Sequence, residues 1–396
     1  MTTQLPRPAS NADPAESLIP TLPGRFYTSE EIFAQEQRRI FATQWNLVGR
    51  TEQMPNIGDF LRVEIAGTAV IVVRARKGLR AYLNVCRHRG SQLCLTDNGN
   101  TGKSISCPYH AWQYSLDDGA LRNAPNWRAM TDVDKSGLSL ATVAVDEWKG
   151  LIWVNLAGSD GGTVEEQIGA QLRYRLDGDL SRVDRFGLEN LVVGGMYTYE
   201  CEANWKIIFE NFQECYHCGT IHPELVEQIP TFASFEELGT GGYHTDGYSF
   251  APGKEGFTIS GKRALPMLPG LLPTDDAKYF GMILRPNAFL SLLPDHAILH
   301  RFEPISATHT RLTCEWLFDP AVVDNPDYDL SDSIELFHLV NKQDLDASAW
   351  CQPNMSSPLY ERGGVLVPTE SEIIGHWFYP WYRAAMGIPD SAVGGE

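Results

Sequence analysis

The chain has 396 residues, of which 43% are hydrophobic and 21% charged, with 35 Gly and 24 Pro. That is an ordinary globular composition, and it excludes disordered, collagen-like and stapled mini-protein classes. Its 32 Lys and Arg stand against 50 Asp and Glu, a net charge of −18, so the summed field repels polyphosphate and anionic lipid and favours a cationic substrate or a basic docking protein. Nucleic acid and membrane are therefore excluded as partners.

The length predicts two or three domains at about 150 residues each. Residues 1–24, with Pro6, Pro8, Pro14, Pro20 and Pro23 among small polar residues, read as a flexible arm. They lack the basic and apolar regions of a signal peptide, no long apolar run follows, and the expectation is a cytoplasmic protein. Residues 25–45 have a helical period in Ile32, Phe33, Ile40 and Phe41, with Thr28 or Ser29 as cap, and read as a helix packing on the catalytic domain. Residues 46–158 hold short β-rich runs (61–65, 69–73, 151–155) between Gly turns, the pattern of an all-β domain. Three Gly within Ala157–Gly162 mark a linker. Residues 163–390 alternate helical stretches (163–175, 203–218, 330–350) with strand-like runs (192–202, 279–293, 296–305, 308–318), which predicts an α+β domain on an antiparallel sheet.

Eight Cys in so long a chain suit metal ligation or buried thiols better than a disulfide framework. Cys86-Arg-His88 is followed, eighteen residues on, by Cys107-Pro-Tyr-His110. Each half offers one thiolate and one imidazole. A zinc site uses the same four donors but pairs Cys with Cys and His with His. A Rieske [2Fe–2S] centre needs the mixed pairs, because one iron takes two Cys and the other two His. The cysteines outside this motif read as small buried hydrophobes.

Through Asn84–Gly90 and Ser106–Trp112 the sequence resembles the large subunits of Rieske non-heme iron oxygenases. Cys94 has no obvious partner, so the respiratory-chain type, with its extra disulfide, is the poorer match. The resemblance extends to Asn204–Pro223, the iron-binding segment of that family, and implies His217 and His222 as ligands of a mononuclear Fe(II). On a straight helix residues five apart lie about 140° from each other, so the helix must break between them, and Gly219 is the candidate break. Two imidazoles and a carboxylate form the facial triad of such oxygenases. The segment Asn341–Asp346, followed by Gln352, Ser356 and Gly363, resembles the one that supplies the carboxylate, with Asp344 chosen and Asp346 in reserve. Glu214, three residues before His217 and so on the same helix face, stands where an acidic residue of the family bridges an iron-ligand His to a cluster-ligand His across the subunit boundary. Aromatic-ring dioxygenases place Asp there and quaternary ammonium oxygenases Glu.

The resemblance implies an N-terminal Rieske domain and a helix-grip-like catalytic domain, assembled as a head-to-tail homotrimer. It also implies a separate flavin and iron–sulfur reductase using NAD(P)H, with O₂ as co-substrate. Glu214 and the opening Leu22–Tyr27 resemble the quaternary ammonium oxygenases, and with the acidic composition this resemblance implies hydroxylation next to N⁺ of a quaternary ammonium compound, with net demethylation or C–N cleavage. An aromatic ring or aromatic acid is the second substrate class, and a non-catalytic Rieske electron carrier a distant third. Two Glu-x-x-His sequences, ending at His217 and His338, raise a di-iron bundle, against which the intervening strand, Gly and Pro argue. His244, His296, His300, His309 and His376 carry no pattern, and His376–Tyr382 reads as core or subunit contact, with a cation–π cage as the alternative.

Overall fold

The computed structural model describes residues 18–130, 132–158, 162–176, 179–233, 247–367 and 374–389. Most of the expected arm lies outside that set, but its last residues are docked. Strand β1 (Ile19–Pro20) pairs antiparallel with β18 (Val365–Leu366), and Leu22 is buried. The arm as read from the sequence therefore ends too late, because an apolar Leu and a backbone ladder outweigh the Pro-rich composition. The helix expected over 25–45 is shorter and broken. A 3₁₀ turn at Gly24–Tyr27 precedes α1 (Glu30–Glu36), capped by Ser29 Oγ, and a wider turn follows at Gln37–Phe41.

Seven strands form one antiparallel sheet: β2 (Asn46–Arg50), β11 (Leu151–Asn155), β10 (Thr142–Trp148), β5 (Gly78–Leu83), β4 (Thr68–Ala75), β3 (Asp59–Ile65) and β6 (Asn98–Asn100), in that spatial order. A second sheet holds β7 (Ser104–Ser106), β8 (Gln113–Ser115) and β9 (Leu121–Asn123). Successive strand residues face opposite sides, and the continuous apolar run of β4 is explained by burial on both. Val70 and Val72 join the core that contains Trp205 and Phe209 of the following domain, whereas Ile71 and Val73 pack beneath Cys86 and Cys107. One strand thus welds the cluster loops to the rest of the molecule.

The second domain is built on the antiparallel order β12 (Val192–Cys201), β17 (His309–Phe318), β16 (Ala297–Ser306), β15 (Ala288–Leu292), β14 (Lys278–Leu284) and β13 (Tyr248–Ser249). The run read as one strand over 279–293 is two, joined through Arg285–Asn287. Helices α2 (Val164–Arg175), α3 (Ser181–Arg185) and α7 (Pro320–Val323) are peripheral to the site, while α8 (Ser331–Cys351) packs against β12. The helix expected over 203–218 is corrected to α4 (Trp205–Asn211), a turn, and the short α5 (Cys218–Ile221) and α6 (Pro223–Gln228).

The aromatic stretch near the C-terminus lies on α9 (Ile374–Met386), with Phe378, Tyr379 and Tyr382 buried against the core of Trp205 and Phe209. The cation these rings receive is the protein's own: Lys206 Nζ sits 5.2 Å from the Trp205 ring centroid and 5.6 Å from that of Tyr382. Among the described residues no helix is long and apolar enough to cross a membrane.

Candidate metal centres

The first group lies at the tips of two matched loops. In one, Gly90 N–H donates to Cys86 O; in the other, Ala111 N–H donates to Cys107 O, at 3.0 Å in both. Gly90 and Ala111 both adopt positive φ, +72° and +54°, which turns each loop back so that its Cys points inward and its His outward. Cys86 and Cys107 are buried beside each other, while His88 and His110 face the surface with their Nδ1 atoms 3.2 Å apart. The donors therefore form two pairs. Among the described residues, Cys86, His88, Cys107 and His110 do not converge as donors to a single ion, which argues against zinc and fits a two-iron cluster with sulfur ligands inside and imidazoles outside.

Burial works to raise the Cys107 thiol, but the backbone amides of Tyr109 and His110 aim at its sulfur and hold it below its ordinary value. The same amides suit a thiolate bound to iron. Partial desolvation and the neighbouring His88 and Arg89 keep His110 below the ordinary histidine range, hence neutral and able to ligate. Tyr114 escaped the sequence reading. Its Oη accepts from Arg87 N–H at 3.1 Å and lies 3.2 Å from Cys86 Sγ, where its hydroxyl can donate to a thiolate. Trp112 stacks on His88, with ring centroids 4.8 Å apart.

The second group assembles from two elements far apart in sequence. His217 and His222 bracket α5, and Asp344 comes from α8, 122 residues after His222. Gly219 does not make the break between the histidines; it lies within α5, and the chain turns at His222 (φ −122°, ψ 63°). Pro223 enforces that turn, since a residue before proline is driven out of the helical region. Glu214 likewise sits in the turn after α4 rather than on a shared helix face. Its carboxylate accepts from the backbone of Tyr216 and His217, which diverts those amides from helix, and its other oxygen meets His217 Nδ1.

His217 Nε2 lies 3.1 Å from His222 Nε2, and Asp344 Oδ1 lies 3.2 and 2.8 Å from them. Three ligands on one octahedral face about 2.1 Å from an ion stand about 3.0 Å apart, so the spacing and the imidazole–carboxylate donor set both fit a mononuclear iron. Burial disfavours charge on His217, yet Asp344 and Glu214 at its two nitrogens push its pKa up to about 11. Burial opposes ionisation of Asp344, and the His217 and His222 rings facing its Oδ1 hold it below the carboxylate range. The site is thus organised around a positive charge.

Asp346, the reserve ligand, is exposed on the other side of α8. Sequence reading also missed Gln343, whose Oε1 lies 2.7 Å from His222 Nδ1, and Glu224, which accepts from Gln343 Nε2. Gln352 and the buried Asn204 tie the site's helices together, the Asn204 amide donating to Gln352 Oε1 at 2.7 Å. His338 bonds Tyr199 Oη and is not part of the triad, which removes the di-iron reading. His300 is buried, bonds Asn341, and is lowered to about 4 chiefly by burial. His296 and His309 pair with Asp295 and Glu200; His244 and the side chain of His376 lie outside the described residues. Of the cysteines outside the cluster motif, Cys351 is exposed, and Cys215 is half-buried against the core of Cys218 and Phe337, both against the expectation of full burial.

Residues 44–142 match the Rieske [2Fe–2S] domain, and residues 188–388 match the catalytic domain of the ring hydroxylating alpha subunit. The chain belongs to that family. This Rieske oxygenase alpha subunit is 28% identical over 395 residues to the glycine betaine monooxygenase oxygenase subunit of Pseudomonas aeruginosa, covering 92% of this chain and 89% of the relative. It is 32% identical over 288 residues to the carnitine monooxygenase oxygenase subunit of Escherichia coli, covering 72% and 70%. Its fold superimposes on a solved quaternary ammonium Rieske monooxygenase with TM-score 0.73 and 25% identity, over 94% of this chain and 96% of the other. The alpha subunit is therefore an oxygenase of a multicomponent system, with a Rieske cluster, a mononuclear iron domain, O₂ as co-substrate and a reductase as partner. A bare electron carrier has no use for residues 188–388.

Proposed function

We propose that this alpha subunit hydroxylates the carbon next to N⁺ of a small quaternary ammonium compound, so that the carbinolamine formed expels an amine and an aldehyde. The observation that carries this reading is near full-length similarity to a glycine betaine monooxygenase oxygenase subunit, together with Glu214 placed against His217. The net charge of −18 supports a cationic substrate. An aromatic substrate has no comparable support in Glu214.

In this proposal Cys86, His88, Cys107 and His110 hold the cluster, and His217, His222 and Asp344 hold the iron. When bound, the two groups supply electrons and activate O₂ for insertion of one oxygen atom into a C–H bond. The protein's part is to turn both imidazoles so that their Nε2 atoms meet at the position faced by Asp344 Oδ1. Glu214 holds the His217 proton at Nδ1, and burial of His222 and Asp344 excludes bulk water. Glu214 also carries the electronic contact to the cluster histidine of a neighbouring subunit in a head-to-tail homotrimer. Exposed Tyr109 beside His110, and exposed Tyr216 beside His217, support such a contact. Eight free cysteines support residence in a reducing cytoplasm.

The test is NADH- and reductase-dependent O₂ uptake with a panel of quaternary ammonium compounds and aromatic acids, scored for aldehyde release. Stoichiometric aldehyde with one quaternary ammonium compound supports the proposal. Uptake coupled only to an aromatic acid overturns it.

A further inference from the structure

Behind the second histidine lies a two-residue relay that the catalytic account leaves without a role. His222 is 1% exposed, and its Nδ1 faces Gln343 Oε1 at 2.7 Å. Gln343 Nε2 in turn donates to Glu224 Oε2 at 3.2 Å. We infer that Gln343, locked by Glu224, is the positioning residue that fixes His222 with its proton on Nδ1 and its Nε2 lone pair turned to the metal position. The inference rests on the reading of His217, His222 and Asp344 as iron ligands.

A glutamine amide offers a donor at one end and an acceptor at the other, and a carboxylate only accepts. Glu224 therefore decides which end of Gln343 faces the imidazole. The carbonyl oxygen is presented, so Nδ1 must carry the hydrogen, and the neutral ring leaves Nε2 free. Without Glu224 the amide can turn about and present its NH₂. That arrangement favours the other tautomer, whose Nε2–H would donate to Asp344 Oδ1, 2.8 Å away, and would leave no lone pair for a metal.

The two iron-site imidazoles are supported unequally as a result. His217 Nδ1 meets a carboxylate directly, whereas His222 Nδ1 meets a neutral amide backed by a carboxylate one step removed. Glu224 stands in the first turn of α6 directly after His222 and Pro223, and Gln343 precedes Asp344 on α8. One turn of α8 thus supplies both a ligand and the orientation of the ligand from the other element.

The experiment is anaerobic Fe(II) titration of protein stripped of mononuclear iron but retaining its cluster, against a competing chelator. Occupancy is read from the electron paramagnetic resonance signal of the ferrous nitric oxide adduct, with the cluster's visible spectrum as internal control. Gln343→Leu is expected to weaken iron binding roughly ten- to hundredfold with the cluster spectrum unchanged, and Glu224→Ala to weaken it less. Gln343→Glu combined with Glu224→Gln is expected to restore affinity, because the carboxylate now accepts from Nδ1 and the amide donates to it. Binding by Gln343→Leu within about twofold of the parent overturns the inference, as does loss in both single variants without recovery in the exchanged pair. If the parent takes up no iron that Asp344→Ala loses, the ligand reading fails instead.

Discussion

Lys206 and Glu36 form an ion pair in which both side chains are 0% exposed, at 2.7 Å. Lys206 Nζ also donates to Asn204 Oδ1 at 2.8 Å, and Glu36 accepts from Trp205 Nε1 at 2.8 Å and from Tyr382 Oη at 2.5 Å. The pair joins α1, the start of α4 and α9, directly upstream of the turn that carries Glu214 and His217. Lys206→Met keeps the stem volume but leaves the Glu36 carboxylate buried with two neutral donors and no counter-charge. Breaking a buried pair from one side costs about 3–5 kcal/mol, whereas neutral replacement of both partners costs far less. Urea unfolding of the metal-loaded protein, followed by tryptophan fluorescence, is expected to show that loss for Lys206→Met. Glu36→Gln with Lys206→Met removes the uncompensated charge; the amide oxygen accepts from Trp205 Nε1 and the amide NH₂ donates to the Tyr382 hydroxyl, so most of the loss is expected to be recovered. A single variant losing under about 1 kcal/mol, or a double variant no better than the single, refutes the claim that an uncompensated charge is the cost.

Glu214→Gln is expected to retain both metal centres while substrate-coupled O₂ consumption falls at least tenfold, since the amide no longer matches the His217 Nδ1 proton with a charge. Full coupled turnover with both metals present would sink that role. Asp344→Asn is expected to reduce iron from about three to about two per chain, and Asp346→Asn to leave it unchanged, as measured by metal analysis. Glu210 is half-buried beside Tyr27, and desolvation pushes its pKa up to about 8 despite hydrogen bonding from Tyr27 and the nearby Lys206. The folded state therefore holds a proton that the unfolded state releases from about pH 4.5 upward, so the stability it contributes is full below that value and is lost as pH rises through about 8. Glu210→Gln is expected to flatten the fall of thermal midpoint between pH 5 and 8; an unchanged slope argues against the assignment.

The parts of the site that were legible in the sequence are those whose chemistry is local. Cys86 with His88, and Cys107 with His110, each fall within one loop, so residue types and spacing alone carry the cluster pattern. The proximity of Asp344 to His222 is not local, and only the resemblance pointed to it. Glu214 was placed correctly beside His217 but for the wrong reason, because its carboxylate captures backbone amides and ends helical geometry there. Gly219 drew attention as a helix breaker, although the constraint lay in Pro223 acting on the residue before it. Gln343 and Glu224 gave no signal, since a neutral amide beside a ligand motif looks like any exposed helix residue until the fold brings α6 against α8. The buried end of the arm was hidden for a related reason: the ladder of Ile19–Pro20 exists only once Val365–Leu366 arrives from the far end of the chain.

The most direct test of the account is mass spectrometry of products formed under ¹⁸O₂ with NADH, the reductase and glycine betaine, carnitine, choline and aromatic acids in competition. Loss of a methyl or release of a smaller amine from one quaternary ammonium compound is expected, with a single labelled oxygen in the aldehyde trapped before exchange. A labelled phenol or ring diol, with the quaternary ammonium compounds untouched, would contradict it.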